Sequence, residues 1–539
     1  MKMSEPSDAY VHFCDLLTLA EEYFALGNFS AAVRIAQIAA RYAFPGNVGL
    51  FASPRLERLL LELGQQIPDA SMHGEWHRDE NLRNVLHVLS YARPVGGDSR
   101  FVWRWIQEDH KSRHSVVITT QADFKGIYDV PEVLIRSVES SGGFLRMLSA
   151  PTSSPLEQAC ELRMLCKEMD IVVLHLFPYD IIPNLALAKG CDSVKTLFVN
   201  HSDHTFWIGA SVAHFVVHLR KQSPYFLKDR RGLRPDQSPL LPTPLSCSYS
   251  SVCRVDAKRM LGYDEDAIIL LTIASPFKYS CPNEIGFLDL VLPVLTKLPK
   301  AILLAVGPER EGAWQLASTQ TEGRIVPLGT QWENDLLYAA ADIYLDSVPF
   351  SSITSVLEAG ARGISLLGYS HPNPELALLG PDAPGLDNAM ELANDVGTYR
   401  NLLTQLITDA EFRRRSGKRV QTQILSLHTG DKWVNIVHDF YTRAERSNDR
   451  GCLMGCNDTF ATSALNLALM QLYSSWNIHQ LIRNFIGSLP YRSRLSITWR
   501  LHLIGFGLCL SNLLPPPAHG LVLVVARWAK RVIRQLGQS

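Results

Sequence analysis

The stretch from Asp342 to Gly363, DIYLDSVPFSSITSVLEAGARG, concentrates the most usable chemistry of this chain. A short apolar run (Ile343, Tyr344, Leu345) leads into a polar turn from Ser347 to Ser352, and a helix opens behind it with hydroxyls. A turn of small polar residues at a helix N-terminus leaves backbone N–H groups free for an anion. Ser352, Thr354 and Ser355 add hydroxyl donors for phosphate oxygens, and Glu358, one turn on, can accept hydrogen bonds from a sugar diol. Together these groups suit a nucleoside diphosphate. The same pattern also describes an ordinary strand–turn–helix of a parallel sheet, so the rest of the chain must decide.

Three more segments carry candidate groups. Val95 to Ser99 (VGGDS) sits between a strand and a helix candidate. Glycines there let the backbone approach a ligand closely, and Asp98 is placed either to take a proton or to cap the helix. The loop is not G-x-G-x-x-G, so the dinucleotide fingerprint is absent. Asn200 to Trp207 (NHSDHTFW) follows another strand candidate, where α/β sheets place ligand groups. His201, Asp203 and His204 are therefore candidates for acid–base work or acceptor binding, against the alternative of a purely structural polar cluster. Two histidines three apart without a third ligand do not make a metal site, and neither metal nor another cofactor is expected. Lys278, which follows a strand candidate in the run Ala274 to Tyr279, can act as a point charge on a diphosphate.

These groups need strand ends to hold them. Strand candidates at 84–90, 116–119, 170–176 and 194–199 alternate with helix candidates at 100–107, 155–167 and 183–189. A second series has strands at 267–273, 301–306, 324–328, 343–345 and 364–367, with helices at 283–296, 333–340 and 352–361. Alternation of this kind implies parallel sheets. Residues 222–244, rich in Pro and Arg, read as a linker, and 396–407, 410–425 and 433–446 as three further helices. Ahead of all this, residues 8–66 read as helical, with Gly27-Asn28 breaking two runs into a tetratricopeptide-like hairpin. One hairpin is too few for a solenoid, so it is expected to pack on the next domain, with protein docking as the alternative.

The segments at Gly96-Gly97, Lys278 and 342–363, in this order of elements, resemble glycosyltransferases built from two facing Rossmann-like domains, the GT-B architecture. The resemblance runs roughly from Val85 to Arg446. It implies an α/β fold with an acceptor domain at 80–240, a donor domain at 245–430 and a return helix within 431–458, flanked by the helical region at 1–75 and a basic helical tail at 459–539. Gly96, Gly97, Lys278, Ser352, Thr354, Ser355 and Glu358 would then hold a nucleotide-sugar donor such as a UDP-sugar. Asp98, His201, Asp203 and His204 would serve a glycan, lipid-linked or protein acceptor in transfer of a hexosyl or N-acetylhexosaminyl unit. Many retaining enzymes of this architecture carry a second glutamate eight positions ahead of the one matching Glu358, where this chain has Phe350. The run from Phe277 to Pro282, and Thr354-Ser355 ahead of Glu358, resemble O-linked N-acetylglucosamine transferases, which invert; an inverting reaction is expected. A nucleotide-sugar epimerase shares the architecture, and Phe350 also suits a degenerate transferase acting as a scaffold.

Composition bounds these readings. A chain of 539 residues, 46% hydrophobic and 19% charged, has room for two to four domains. A net charge of −1 gives no general attraction to nucleic acid, but it hides an asymmetry. From Thr459 to Ser539 there is no Asp or Glu, and eight Lys and Arg make that tail +8, leaving −9 for the rest. Arg527, Lys530, Arg531 and Arg534 share one helical face, which suits the anionic surface of a membrane or a solvated stripe on a packed helix. Pro515, Pro516 and Pro517 interrupt the uncharged run from Leu501 to Ala526 and argue against a continuous span. Ten cysteines without zinc spacing read as reduced thiols. With a polar N-terminus they imply a cytoplasmic protein, peripheral to the inner face of the membrane if the tail binds lipid.

Overall fold

The computed structural model describes residues 7–46, 48–68, 81–94, 96–121, 129–148, 154–189, 193–221, 230–246, 252–280, 284–451, 465, 478–507 and 513. Arg527, Lys530, Arg531, Arg534, the three consecutive prolines and Val95 lie outside the described residues.

Two six-stranded sheets form the body of the molecule, with orders β3-β2-β1-β4-β5-β6 and β12-β11-β10-β7-β8-β9. The first sheet comprises β1 (Arg83–Leu89), β2 (Ser112–Ile118), β3 (Leu145–Met147), β4 (Ile171–His175), β5 (Lys195–Asn200) and β6 (Phe215–His218). The second comprises β7 (Ile268–Ile273), β8 (Ala301–Val306), β9 (Ile325–Gly329), β10 (Ile343–Leu345), β11 (Ser365–Tyr369) and β12 (Glu391–Ala393). Every pairing is parallel, and the two sheets share one winding. In each, the strand order reverses beside the first strand, the switch point at which doubly wound sheets open a crevice. Nearly all the Val, Ile and Leu of β1, β4, β7 and β8 are buried, on both sides of the sheet, which is why these strands read as continuous apolar runs. The edge strands β3, β6 and β12 were not anticipated, because three or four residues give too little pattern to separate strand from loop.

Helices cover both faces. α1 (Asp8–Ala25), α2 (Phe29–Gly46) and α3 (Pro54–Gln65) come first, then α4 (Gly97–Glu108), α5 (Glu132–Ser140), α6 (Pro155–Lys167) and α7 (Ile182–Ala186) around the first sheet. Around the second lie α8 (Arg254–Met260), α9 (Phe287–Leu295), α10 (Gly312–Gln320), α11 (Asp335–Ala340), α12 (Ile353–Ala361), α13 (Pro374–Ala377), α14 (Val396–Thr408) and α15 (Ala410–His428). The helices expected at 183–189 and 283–296 are shorter than their periodicity suggests.

α16 (Gly430–Arg446) crosses back from the second sheet to the first. Trp433, Val437 and Tyr441 share a core with Phe101 and Trp105 of α4. Trp105 Nε1 donates to Tyr441 Oη at 2.8 Å, and Trp433 Nε1 to the Pro242 carbonyl at 2.7 Å, so both indoles are buried with their polar atom paired.

The N-terminal helices share a continuous core with the first sheet. α1 ends where Gly27 takes a φ of 72°, and Asn28 Oδ1 then accepts from the Ala31 amide at 3.2 Å to start α2. Ala31, Ala32, Ala36 and Ala39 are fully buried, and such small side chains let helices approach closely. α3 is fastened by Glu57, whose buried carboxylate accepts from the amides of Gly209 (3.1 Å), Ala210 (3.3 Å) and Ser211 (2.6 Å). Arg163 of α6 answers it, donating to the carbonyls of Gly64, Ile67, Leu185 and Ala186. The described part of the basic tail joins this block. α17 (Ile478–Ile486) and α18 (Tyr491–Leu501) put Ile482, Ile486, Ile497 and Leu501 into the same core, and Tyr23 Oη lies 2.6 Å from Ser496 Oγ. Among the described residues no helix is long and apolar enough to cross a membrane.

Replacing Glu57 with Ala strands three amides that now have a carboxylate. The unfolding free energy should fall by about 3 kcal/mol, read as a lower urea midpoint, with the second sheet's core unaffected.

Candidate active site

The C-terminal edges of the two sheets face each other across a cleft of about 550 Å³. Its second-domain wall is built by the loops after β7 and β10. Asp346, fully buried directly after β10, accepts from the amides of Ser347 and Ser352 at 2.9 Å each. This folds the turn back and delivers the N-terminus of α12 to the cleft. Burial raises the Asp346 carboxyl to about 6. Ser352 caps α12 with its backbone only, since its hydroxyl makes no capping hydrogen bond. The amides of Ile353 and Thr354 have no acceptor among the described residues, and the hydroxyls of Ser352, Thr354 and Ser355 lie along the same wall. Lys278 comes from the loop after β7 and donates to the Ser351 carbonyl at 3.1 Å. Its ammonium is lowered to about 8, chiefly by burial; Asp346 partly opposes this, while Arg220 and Arg93 reinforce it. A helix N-terminus, three hydroxyls and one lysine line the same wall of the cleft, the donor set of an anion site.

Glu358 is placed differently from the sequence expectation. It does not line the cleft; it is 5% exposed and sits between Arg100 and Arg104 of α4, on the opposite domain. Arg104 Nη2 donates to Oε1 at 2.6 Å, Arg100 Nη1 to Oε1 at 3.1 Å, and Tyr338 Oη to Oε2 at 3.1 Å. Burial would raise its carboxyl, but the two guanidiniums outweigh this and hold it below the usual range. A polar group that does line the cleft is Asn334, whose Oδ1 is buried without a partner among the described residues; Gln331 lines the cleft as well.

The first-domain wall carries the glycine loop and the NHSDH segment. Gly96 has a φ of 149°, and a Cβ at Gly97 would lie 2.5 Å from Thr354 Oγ1. The loop therefore touches the opposite domain at a position where only glycine fits. Asp98 is held by Arg93 Nη2 and Tyr91 Oη, both at 3.2 Å, and turns one oxygen back to the Ser99 amide at 2.9 Å. Asp203 is buried, accepting from Asn200 Nδ2 at 2.7 Å with Arg220 at 3.9 Å. His204 packs edge-on against Phe350, and burial together with Arg220, Lys278 and Arg231 lowers it to about 3. His201 lines the cleft, and burial lowers it to about 4 against an opposing pull from Asp98. The structure thus brings His201, His204, Lys278, Gly96, Gly97, Asp98, Asp203, Ser352, Thr354 and Ser355 to one cavity.

Arg100, Arg104, Arg220 and Asp346 were not legible as site-forming residues. Arg220, at the end of β6, reaches across to the Asp382 carboxylate and the Gly380 carbonyl of the second domain. The arginines of α4 read as an ordinary charged helix face, because their partner is 254 or more positions away.

Glu358→Gln should loosen the closed arrangement. It leaves two guanidiniums without their carboxylate, a loss of about 3 kcal/mol or more for a broken buried pair. The measurement is a larger radius of gyration in solution scattering without loss of helical signal. Unchanged scattering would mean that other contacts hold the cleft shut.

No protein-family model matches the sequence, and no curated protein matches it either. Solved structures do. The HepE protein of Anabaena, in complex with UDP and glucose, superposes with a TM-score of 0.50 at 13% identity, over 67% of this chain and 100% of that one. Its complex with UDP-glucose gives 0.50 at 12% identity, over 67% and 99%. A glycosyltransferase from Rickettsia africae gives 0.52 at 11% identity, over 68% of this chain and 99% of that one. Two identically wound parallel sheets, a cleft between their C-terminal edges, a helix that returns to the first sheet and these superpositions establish that the chain has the GT-B fold.

Proposed function

We propose that the protein transfers a sugar from a nucleotide-sugar donor, a UDP-sugar in the first instance, to a hydroxyl of a glycan, lipid-linked or protein acceptor, with inversion. The observation that carries this is the anion site at the N-terminus of α12, with Lys278 beside it and His201 across the same cleft. The structural neighbours with UDP or UDP-glucose bound support the choice of donor.

The donor's diphosphate lies against the free amides of Ile353 and Thr354, with Lys278 and the three hydroxyls around it. The nucleoside end lies toward Gln331, Asn334 and Tyr338 on the same wall. Ribose recognition then falls to Asn334 and its neighbours while Glu358 holds the domains together. The transferred sugar lies toward Gly96 and Gly97. As the bond from the anomeric carbon to the phosphate oxygen breaks, its electron pair passes to the diphosphate. Fixed donors stabilise that charge without reorganising. The acceptor oxygen attacks from the opposite face and gives its proton to His201, which is unprotonated at neutral pH. Asp98, Asp203 and His204 bind the acceptor or brace the wall. No metal is required, because Lys278 and the helix terminus supply the positive charge.

Calorimetry with UDP and a panel of nucleotide sugars tests this. Lys278→Ala should weaken UDP binding about ten- to hundredfold, the worth of a charge-assisted hydrogen bond. Wild-type affinity should fall as pH rises through about 8, where the ammonium loses its proton, and Lys278→Arg should flatten that dependence. If no nucleotide or nucleotide sugar binds or is hydrolysed, the enzymatic reading fails. Conversion of donor without any acceptor would instead indicate an epimerase.

A further inference from the structure

His201 is the end of a line of four histidines. Its Nε2 lies 3.2 Å from His175 Nδ1, His175 Nε2 lies 3.1 Å from His87 Nδ1, and His87 Nε2 lies 3.0 Å from His114 Nδ1. His114 Nε2 lies 3.1 Å from the Asp109 carbonyl and 3.3 Å from its carboxylate. Strand register explains the line. His114 on β2 pairs with Val85, two residues before His87 on β1, and His87 pairs with Val173, two before His175 on β4. A stagger of two keeps all three rings on one face, climbing the sheet toward the cleft, where His201 follows β5. Phe101 and Trp105 of α4 pack on these rings. Their nitrogens face one another in pairs rather than converging on a point, and among the described residues no group of His, Cys, Asp or Glu is arranged to hold a metal.

With all four rings neutral, the hydrogen bonds allow one set of tautomers. A carbonyl oxygen only accepts, so His114 Nε2 carries a proton. In a neutral ring His114 Nδ1 must then accept from His87 Nε2–H. By the same step His87 Nδ1 accepts from His175 Nε2–H, and His175 Nδ1 from His201 Nε2–H. That leaves the bare lone pair of the line on His201 Nδ1, which has no hydrogen-bond partner among the described residues. Burial keeps the inner rings neutral, holding His87 and His175 well below the usual histidine range.

We infer that these four histidines are an oriented proton relay, set by Asp109, which makes His201 Nδ1 the proton acceptor of the transfer and moves the positive charge away from the cleft. The inference rests on the transferase reading above. The acceptor O–H bond breaks, its electron pair enters the new bond to the anomeric carbon, and its proton joins His201 Nδ1. Each ring then gives its Nε2 proton to the next Nδ1. His114 ends with both nitrogens protonated, as an imidazolium facing the Asp109 carboxylate. One proton enters and none is lost; after product leaves, the same steps run backwards to water in the cleft. Burial opposes ionisation of Asp109, but hydrogen bonds from His114 and His438 pull its carboxyl below the usual range, so the carboxylate faces the place where that charge arrives. His201 touches the acceptor; His175, His87 and His114 are positioning residues that act through it.

The charged and titratable groups facing the line are few. Asp98 and Arg93 lie at the cleft end. At the far end, His438 Nε2 of α16 is 2.8 Å from Asp109 Oδ1, Arg83 lies beside His438, and Tyr441 is nearby. None of these interrupts the line.

The test uses the full chain. His87→Gln keeps a donor and an acceptor at the middle position but cannot pass a proton. Relative to wild type, kcat should fall by roughly a hundredfold, the contribution of general base catalysis. KM for the donor and UDP affinity should stay unchanged, and the acid limb of the pH–rate profile should move to lower pH as His201 becomes an isolated weak base. Asp109→Asn, which keeps the carbonyl but removes the charge, should shift the limb the same way. A folded His87→Gln protein with wild-type kcat and an unshifted limb overturns the relay. Histidine 15N spectra of the resting protein give a readout independent of turnover. His201, His175 and His87 should be neutral Nε2–H tautomers at pH 7, and an Nδ1–H tautomer in any of them overturns the relay. If the tautomers are as stated but no sugar is transferred, the transferase reading fails while the oriented line stands.

Discussion

Glu358 is a carboxylate buried between two domains, and its two cationic partners come from the opposite one. Taking such a charge out of water costs several kcal/mol unless it is paired and hydrogen-bonded. Arg100, Arg104 and Tyr338 meet that requirement only while the two sheets face each other at this distance. The same closure presses Gly97 onto Thr354 and brings Arg220 to Asp382 and Gly380. The cleft is thus a consequence of pairing a buried charge across a gap, and its dimensions follow from side-chain lengths on both walls.

Within the cleft the two walls have opposite chemical characters. The second domain offers amides, hydroxyls and the ammonium of Lys278, all suited to receiving negative charge. The first offers His201, which burial holds below the usual histidine range against the pull of Asp98, with His175 hydrogen-bonded behind it. Low dielectric serves both walls. It strengthens fixed donors around a developing anion, and it keeps His87 and His175 uncharged, so in the proposed relay the charge comes to rest beside Asp109 rather than midway.

The helices outside this core keep the first wall in place. Glu57 and Arg163 tie α3 to the loops behind the first sheet, and α17 and α18 pack against the N-terminal hairpin. Cationic residues of the tail such as Arg494 are partly folded into that packing. The hairpin therefore behaves as a buttress with its own contribution to the core, which is how a single helical pair can be stable without further repeats.

Much of the fold was legible because its signals are local. Continuous apolar runs marked β1, β4, β7 and β8, helical periodicity and the Gly27-Asn28 break marked α1 and α2, and hydroxyls ahead of an apolar run marked the start of α12. Segments after strands pointed to Lys278, His201 and the glycine loop, because the end of a parallel strand is a fixed location in such a fold. What depends on distant partners was not legible. Glu358 carried the same signal whether it met a ribose or two arginines, and nothing in the spacing of residues 87, 114, 175 and 201 marks four rings as neighbours. Strand order and a stagger of two residues between adjacent strands create that line. The sequence by itself determined which elements form and which of their ends carry polar groups, since those follow from neighbours along the chain. Only the tertiary structure decided which charges meet and which way the protons point, since both require groups remote in sequence to lie within hydrogen-bond distance.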